Sequence, residues 1–232
     1  MRGKALVPFL SMTTAQSASP LALQLAARVE KIDPPSVPAI CAASALATIA
    51  LLDDDRSKPD GPWHEAVSAW NGARIRKIVR RGRGSAWVRA QEPDGVTVSR
   101  DGAEVRAFVP GPLDQAPTPL AKLQIQSSPL DEPERTKTLV DATGLVIAIT
   151  PEVEMSWGKQ AAQCAHAAQR AWMKADPALV ERWDQAQRPI TIVHPNKPLW
   201  RKLKDRSLVQ IRDGGFTEIP AGTNTTVAFW ND

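Results

Sequence analysis

The residues best suited to chemistry lie on one face of a predicted helix. Four polar residues recur every three or four positions, so the 3.6-residue period of a helix places them on one stripe. They are Lys159, Gln163, His166 and Arg170. Gly158 and Lys159 stand where this helix is expected to begin, so unpaired backbone N–H groups and the positive end of the helix dipole lie beside them. Because such a helix end suits an anion, the stripe predicts a polar, positively charged site.

A strand and a face of small residues are expected to position this stripe. Residues 145–149 form the apolar run Leu-Val-Ile-Ala-Ile, which has the length and β-branched content of a buried strand. Ala161, Ala165 and Ala168 form a second stripe on the helix, and their small side chains allow it to lie close against a sheet. The passage is therefore predicted to run strand, loop, helix, with one helix face packed and the other free for chemistry.

The composition of the chain is that of a folded protein with a modest positive charge. Its 232 residues are 43% hydrophobic and carry a net charge of +4, which admits a polyanionic partner without requiring one. Cys41 and Cys164 lie in alanine-rich helical patterns, so buried thiols are favoured over a disulfide or a metal pair. With only three histidines in the chain, we predict no zinc cluster and no other metal or cofactor.

The sequence of the first 52 residues does not indicate a segment that crosses a membrane. Arg2 and Lys4 precede an apolar run that weakly imitates a signal peptide, but the run is short and contains Pro8. Residues 40–52 are apolar but too few to cross a bilayer. We therefore predict a cytoplasmic protein with no membrane partner and a flexible N-terminus over residues 1–20.

The rest of the first half is predicted to form an α/β unit over residues 21–110, followed by a proline-rich linker over residues 111–143. Periodicity does not decide whether residues 21–25 begin a strand or a helix. The other predicted elements are a helix over 37–52 with Ser36 as its N-cap, a helix over 62–70, a partly strand-like basic passage over 74–84, a β-hairpin over 96–98 and 104–109, and a possible linker strand over 120–126.

The second half, residues 144–232, is predicted to continue from the helix of the polar stripe with the same kinds of element. They are a helix over 176–187, a strand over 189–193, a short basic helix over 197–204, and strands over 208–212 and 225–229, with a turn-rich connection between the last two.

The two halves match each other in a few residues and in the order of their elements. Cys41 aligns with Cys164, Trp70 with Trp183, and the pair Ala-Phe at 107–108 with the same pair at 228–229. The alignment runs without a gap from the cysteines back to residues 21 and 144. We interpret this as a duplicated β-α-α-β-(α)-β-β unit, the alternative being chance similarity between two alanine-rich segments.

The polar stripe is present in only one of the two copies. The first copy has Ser36, Ile40 and Ala43 at the positions of Lys159, Gln163 and His166. We therefore expect the first copy to be a degenerate scaffold.

Two motifs of the second half resemble those of the type II peptidyl-tRNA hydrolase family. Residues 158–167, GKQAAQCAHA, are similar to the family pattern G-K-x-A-A-Q-C-x-H-A. Residues 213–225, DGGFTEIPAGTNT, are similar to D-A-G-x-T-Q-I-x-P-G-S-x-T, with Gly214, Glu218 and an interchanged Pro220 and Ala221 as departures. The resemblance covers about residues 145–229.

The resemblance implies a fold and a quaternary arrangement. The family fold is a three-layer α/β domain around a mixed four-stranded sheet, and its members commonly pair as homodimers. A duplicated chain of this kind is expected to be a covalent pseudo-dimer and a monomer in solution.

The resemblance also implies a reaction, hydrolysis of the ester bond of peptidyl-tRNA to free tRNA and an N-blocked peptide, without a metal. The implied catalytic residues are Lys159, His166, Asp213 and Thr217, and the implied substrate-binding residues are Gly158, Gln163 and Thr225. Either Asp213, held by Thr217 or Thr225, or else His166 is expected to orient or deprotonate the water. Lys159 would then face the oxyanion or the terminal phosphate.

Basic residues outside the two motifs are candidates for contact with tRNA. One such patch is formed on the short basic helix by Lys197, Arg201, Lys202 and Lys204, and residues 74–83 form another. Trp87 and Trp200 lie among these charges and could stack on bases, but packing inside the protein is favoured.

Two alternative functions stay open at the level of sequence. One is a catalytically quiet tRNA-binding protein. The other is a different tRNA ester hydrolase, such as a D-aminoacyl-tRNA deacylase, which uses the same chemistry.

Overall fold

The structure is a computed structural model that describes residues 19–73, 75–125 and 129–231. The predicted flexible N-terminus up to residue 18, Arg74 of the basic passage, and residues 126–128 of the predicted linker lie outside the described residues. The strands are β1 (Leu21–Arg28), β2 (Lys77–Gly82), β3 (Gly95–Arg100), β4 (Ala103–Phe108), β5 (Gly111–Pro112), β6 (Gly144–Ile149), β7 (Ile190–Val193), β8 (Val209–Arg212) and β9 (Asn224–Asn231). The helices are α1 (Val37–Asp53), α2 (His64–Asn71), α3 (Gly84–Arg89), α4 (Thr118–Ala121), α5 (Trp157–Lys174), α6 (Pro177–Gln185) and α7 (Lys197–Asp205).

Two mixed sheets of the same topology form the framework. The first has the order β2-β1-β4-β3 and the second has the order β7-β6-β9-β8. In each sheet the first strand of the half runs parallel to the second and antiparallel to the fourth. Strand β5 also pairs with β1, so the first sheet has five strands and the second has four. The predicted fold class, a duplicated α/β fold, is confirmed.

A tryptophan makes the same hydrogen bond in both halves. The indole Nε1 of Trp70 donates to the carbonyl oxygen of Arg76 at 3.1 Å. That of Trp183 donates to the carbonyl oxygen of Pro189 at 2.7 Å. Because both bonds span six residues and precede the parallel strand, they fix the correspondence of β2 with β7.

The strand pairing corrects the alignment of the two halves by one residue. Leu23 lies opposite Lys77 in the first sheet, and Leu145 lies opposite Ile190 in the second. Leu23 therefore corresponds to Leu145, whereas the gapless alignment pairs it with Val146. The connection between strand and helix is one residue longer in the second half if the aligned cysteines are kept.

The two long helices lie between the sheets and join the two halves in one core. Helix α1 packs on β3, β4 and β7, whereas α5 packs on β8, β9 and β2, so each helix contacts strands of both halves. The free thiols of Cys41 and Cys164 are fully buried in this core and contact each other. Burial raises the pKa of the Cys41 thiol. The prediction of buried thiols is confirmed.

Shorter helices cover the outer face of each sheet. Helix α7 packs through Leu199, Trp200 and Leu203 against the face of the second sheet opposite α5. Helix α3 covers the first sheet in the same way through Trp87. Trp87 and Trp200 are therefore core residues, 6% and 0% exposed, which confirms the interpretation favoured from sequence.

The connecting segment differs from its predicted structure in one place. Of the possible strand over 120–126, residue 126 lies outside the described residues. Residues 120–125 do not form a strand, because Pro119 stands in the first turn of the short helix α4, and among them only Gln124 makes an isolated bridge, to Arg81. Further along, the side chain of Glu132 accepts a hydrogen bond from Gln160 at 2.8 Å.

Most predicted elements agree with the structure to within a few residues. Residues 21–28 are a strand, which decides the alternative left open by periodicity. Ser36 caps α1 by accepting a hydrogen bond from the backbone N–H of Ala39 at 3.3 Å. Within the described ranges, no helix has both the length and the apolar character needed to cross a membrane.

Candidate active site

A cavity of about 980 Å³ lies where α5, the end of β8 and the start of β2 meet. Its wall is formed by residues of both halves, including 75–79 from the first half and 209–214 from the second. The polar stripe of α5 faces this cavity, as Lys159, Gln163, His166 and Arg170 all line it. The prediction that these residues share one face is confirmed.

The start of α5 is fixed to the glycine-rich loop that follows β8. The side chain of Ser156 caps the helix by accepting a hydrogen bond from the backbone N–H of Lys159 at 3.2 Å. The carboxylate of Glu218 in turn accepts from the backbone N–H of Ser156 at 2.8 Å and from its hydroxyl at 2.6 Å. Glu218 thus holds the helix start and the loop together.

The ammonium of Lys159 meets the carboxylate of Asp213 in the cavity. The two form an ion pair whose side chains are 12% and 6% exposed. The ammonium also donates to the hydroxyl of Thr217 at 2.9 Å. Because this pair joins residues 54 positions apart, the fold brings together the two predicted motifs at one point.

The carboxylate of Asp213 accepts hydrogen bonds from other groups besides Lys159. The side-chain amide of Gln163 donates to Oδ2 of Asp213 at 2.8 Å, and the backbone N–H of Gly215 donates to Oδ1 at 2.8 Å. Gly215 has φ of +75°, a conformation that favours glycine. The hydroxyl of Thr225 donates to Oε1 of Gln163 at 2.8 Å. The hypothesis that Thr217 or Thr225 binds Asp213 directly is therefore corrected, because Thr217 reaches it through Lys159 and Thr225 through Gln163.

His166 lies next to cationic groups rather than next to Asp213. Its Nδ1 is 3.3 Å from the ammonium of Lys77, which belongs to β2 of the first half. Burial, followed by the charges of Lys77, Lys159 and Arg170, lowers the pKa of His166 well below its ordinary value. The imidazole is therefore neutral at physiological pH.

The remaining predicted residues divide into those in the cavity and those outside it. Gly158 lines the cavity within the first turn of α5, close to Val79 of the first half. Arg201 and Lys202 are exposed on α7, which lies on the opposite face of the sheet from α5, and neither lines the cavity. Their contact with tRNA stays a prediction, but it is separate from this cavity.

In the basic passage before and within β2, one arginine is buried in the fold and two other basic residues line the cavity. Arg80 is 8% exposed and donates to Gln24 and to the carbonyl oxygen of Leu123, so it is not a surface contact for tRNA. Arg76 and Lys77 instead line the cavity. The guanidinium of Arg76 lies 4.7 Å from the ring centroid of Phe216.

Three residues that line the cavity were not predicted from the sequence to lie in this site. Lys77 belongs to the basic passage 74–83, a candidate for contact with tRNA, but its place beside His166 was not predicted, and Gln169 and Phe216 had no predicted role. Gln169 lies one helical turn from His166, so the helical period of α5 could have placed it on the same face as the polar stripe. Lys77 has no such local signal, because its contacts depend on how the two halves pack.

No metal centre is evident in the part of the chain that the structure describes. There, no group of three or more His, Cys, Asp or Glu side chains is arranged to bind a metal ion. The cavity therefore offers cationic side chains, amides and one ion pair as its chemistry.

Comparison with known proteins identifies the family of the second half. Residues 143–230 match the family model described as peptidyl-tRNA hydrolase PTH2. The chain is 31% identical over 98 residues to the peptidyl-tRNA hydrolase of Thermoplasma volcanium, a match that covers 38% of this chain and 84% of that protein. It is 29% identical over 94 residues to the peptidyl-tRNA hydrolase of Methanothermobacter thermautotrophicus, with the same coverage of 38% and 84%. Through its second half, the chain belongs to the type II peptidyl-tRNA hydrolase family.

Proposed function

We propose that this chain hydrolyses the ester bond that joins a peptide to the 3′ ribose of tRNA, releasing free tRNA and an N-blocked peptide. The observation that carries the proposal is the Lys159–Asp213 pair at the start of α5, inside a cavity lined by cationic side chains. The relatives named above support the substrate class, since they are described as peptidyl-tRNA hydrolases.

Lys159 is assigned to the charge that develops on the ester carbonyl oxygen. Attack by water gives a tetrahedral intermediate whose oxygen is negatively charged. The ammonium of Lys159 and the N-terminal end of α5 both favour negative charge at that point. Asp213 and Thr217 hold the ammonium in place, so little reorganisation is needed during the reaction.

Asp213 is assigned to the attacking water. An ionised carboxylate can accept about four hydrogen bonds. Asp213 accepts two on Oδ2 and one on Oδ1 from the described residues, which leaves capacity on Oδ1 for water. His166 is less suited to this role, because burial and then the cations around it oppose the gain of a proton and lower its pKa. We therefore assign His166 to binding of the substrate.

The bond changes follow from these roles. The water oxygen bonds to the carbonyl carbon and loses a proton, and the bond from that carbon to the ribose oxygen breaks. The ribose oxygen takes up a proton and leaves as the hydroxyl of free tRNA. The peptide is left as a carboxylic acid, which releases its remaining proton to solvent and becomes a carboxylate. Neither a metal nor a covalent enzyme intermediate is used in this scheme.

We further propose that the first half takes the place of a partner subunit. Helices α1 and α5 pack on each other and each contacts a strand of the opposite half, which is the arrangement expected of a covalent pseudo-dimer. The chain is then expected to elute in gel filtration as a monomer of 25.2 kDa. Elution at twice that mass would contradict this part of the proposal.

The activity is tested by offering the purified chain three substrates in parallel. N-acetyl-L-aminoacyl-tRNA is expected to be hydrolysed, while free L-aminoacyl-tRNA and D-aminoacyl-tRNA are expected to be left largely intact. Binding without hydrolysis of the blocked substrate would favour a quiet tRNA-binding protein. Preferential hydrolysis of the D-aminoacyl substrate would favour a deacylase.

A further inference from the structure

A lysine of the first half lines the cavity without a carboxylate partner. Lys77 is 7% exposed at the start of β2. Its ammonium donates to Oε1 of Gln169, lies 3.3 Å from Nδ1 of His166, and lies 4.9 Å from the ring centroid of Trp70. Among the described residues, none of its partners carries a negative charge.

A buried ammonium with only neutral partners lowers the stability of the folded chain unless an anion binds beside it. Buried charged groups are ordinarily paired with an opposite charge, because their loss of hydration is not repaid by neutral partners alone. Burial and the charge of Arg170 lower the pKa of Lys77 well below its ordinary value. An anion within reach of the ammonium would supply the missing partner.

The cavity around Lys77 has an excess of positive charge. Its cationic lining residues are Arg76, Lys77, Lys159, Arg170, Lys174 and Arg212, and its acidic lining residues are Asp213 and Glu218. Both carboxylates are engaged elsewhere, Asp213 with Lys159 and Glu218 with Ser156. The charge on the side of Lys77 and Arg170 is therefore uncompensated by the described residues.

The aligned position in the other half lacks these polar groups. Strand pairing places Ile190 where β2 has Lys77. In α1, Ala43 and Leu46 stand at the positions of His166 and Gln169, and both are buried. The polar groups thus surround one cavity, and they come from both halves of the chain.

We propose that Lys77, His166 and Arg170 form an anion subsite that holds a phosphodiester of the 3′ end of the tRNA substrate. This proposal rests on the proposed function, because it names the part of the same substrate that enters beside Lys159. A hydrogen bond from Lys77 to Nδ1 of His166 places the ring proton on Nε2, which then donates to a phosphate oxygen. The first half is then part of the binding site and not only a scaffold.

The subsite is tested by comparing Lys77→Met with Lys77→Arg in the full chain. Binding of adenosine 5′-monophosphate, adenosine and inorganic phosphate is measured by equilibrium titration. In the wild-type chain we expect the monophosphate to bind more tightly than adenosine or phosphate. Lys77→Met should remove about tenfold or more of that preference, because it loses a charge-assisted hydrogen bond, while Lys77→Arg should retain most of it.

Hydrolysis gives a second readout with the same variants. For N-acetyl-aminoacyl-tRNA, Lys77→Met should raise KM by about tenfold and change kcat much less. Lys31→Met is the matched control, because Lys31 is exposed in the loop after β1 and does not line the cavity. The melting temperature should not fall, since an apolar side chain replaces a buried amine without an opposite charge.

The outcomes distinguish this proposal from the proposed function. Hydrolysis with unchanged KM and unchanged monophosphate preference in Lys77→Met overturns the subsite and leaves the hydrolase assignment standing. Absence of hydrolysis by the wild-type chain, with the monophosphate preference intact, overturns the hydrolase assignment alone. Equal weakening of adenosine and the monophosphate, with a lower melting temperature, would mean a structural role. Inorganic phosphate that binds as tightly as the monophosphate would mean a free-phosphate site.

Discussion

The two halves share a topology but differ in the helix that each places between the sheets. Helix α5 presents Lys159, Gln163 and His166 to the cavity, whereas α1 has buried apolar residues at the aligned positions of the last two. The same contrast holds for the strands, with Lys77 in β2 and Ile190 in β7. Once two copies are joined in one chain, each can change independently. Here polar groups are concentrated at one of the two related places and the other is filled by core.

The contrast predicts that one side chain of α5 dominates activity. We expect Lys159→Ala to lower kcat for N-acetyl-aminoacyl-tRNA by about 10²- to 10³-fold, as loss of an oxyanion donor does. Lys31→Ala is the control and should stay near the wild-type rate, because Lys31 is exposed in the loop after β1 and does not line the cavity. Near-wild-type hydrolysis by Lys159→Ala would break the contrast, because the polar stripe would then be dispensable.

The next largest effect on kcat is expected when the hydrogen bonds that position Asp213 are weakened. Thr225→Val removes the hydroxyl that donates to Gln163 and keeps the shape of the side chain. Because Gln163 in turn donates to Asp213, kcat should fall by about tenfold with KM little changed. Thr225→Ser, which retains the hydroxyl, should recover most of the rate. An equal loss in both variants would point to packing rather than to positioning.

The two halves should also differ in their response to acid. Burial lowers the pKa of His194 to about 4, from an ordinary value of 6.5, and the aligned residue of the first half is Arg81. Between these values the unfolded chain binds a proton that the folded chain does not, so stability is full above pH 6.5 and is lost as the pH falls toward 4.

Between pH 7.5 and pH 5 the expected loss of unfolding free energy is about 2 kcal/mol. It is measured by urea unfolding at pH 7.5 and at pH 5. His194→Gln keeps a donor for Oε1 of Gln160, which His194 contacts at 2.8 Å, so the variant should flatten the pH dependence. An unchanged dependence in His194→Gln would assign the acid sensitivity to other groups.

The smallest effect on activity is expected from placing a histidine in α1 at the position aligned with His166. Ala43 is 0% exposed, so Ala43→His overpacks the core and should cost about 1–3 kcal/mol of stability. That corresponds to a fall in melting temperature of about 2–4 °C per kcal/mol for a chain of this size. Hydrolysis at 25 °C should be unchanged. A variant of full stability would show that the aligned place still has room for the stripe.

Local patterns were sufficient for most of the fold but not for the meeting of Lys159 with Asp213. Helix α5, its Ser-capped start and the facing of Lys159, Gln163 and His166 follow from a 3.6-residue period that needs no tertiary information. The meeting of Lys159 with Asp213 came from two motifs taken together. The strand β1 was ambiguous, because a short, fully buried apolar run has no period that separates strand from helix.

The parts that sequence did not predict depend on packing between distant elements. Lys77 and His166 are 89 residues apart, and their contact requires β2 of one half to lie on α5 of the other. Arg201 and Lys202 lie on a basic helix face that is exposed, but the helical period does not indicate which side of the sheet the helix covers. Direct contact of Thr225 with Asp213 was expected, because the intervening amide of Gln163 is not evident from spacing.

The central claim is that one site, built around Lys159 with walls from both halves, acts on the substrate. It is tested most directly by titrating the chain with an N-acetyl-aminoacyl-tRNA analogue whose ester is replaced by an amide, so that binding is seen without hydrolysis. We predict one analogue bound per chain, with affinity weakened in Lys77→Met, unchanged in Lys31→Met and little changed in Lys159→Ala, which instead loses hydrolysis of the ester. Two analogues per chain, or one whose affinity is the same in all four proteins, would contradict it.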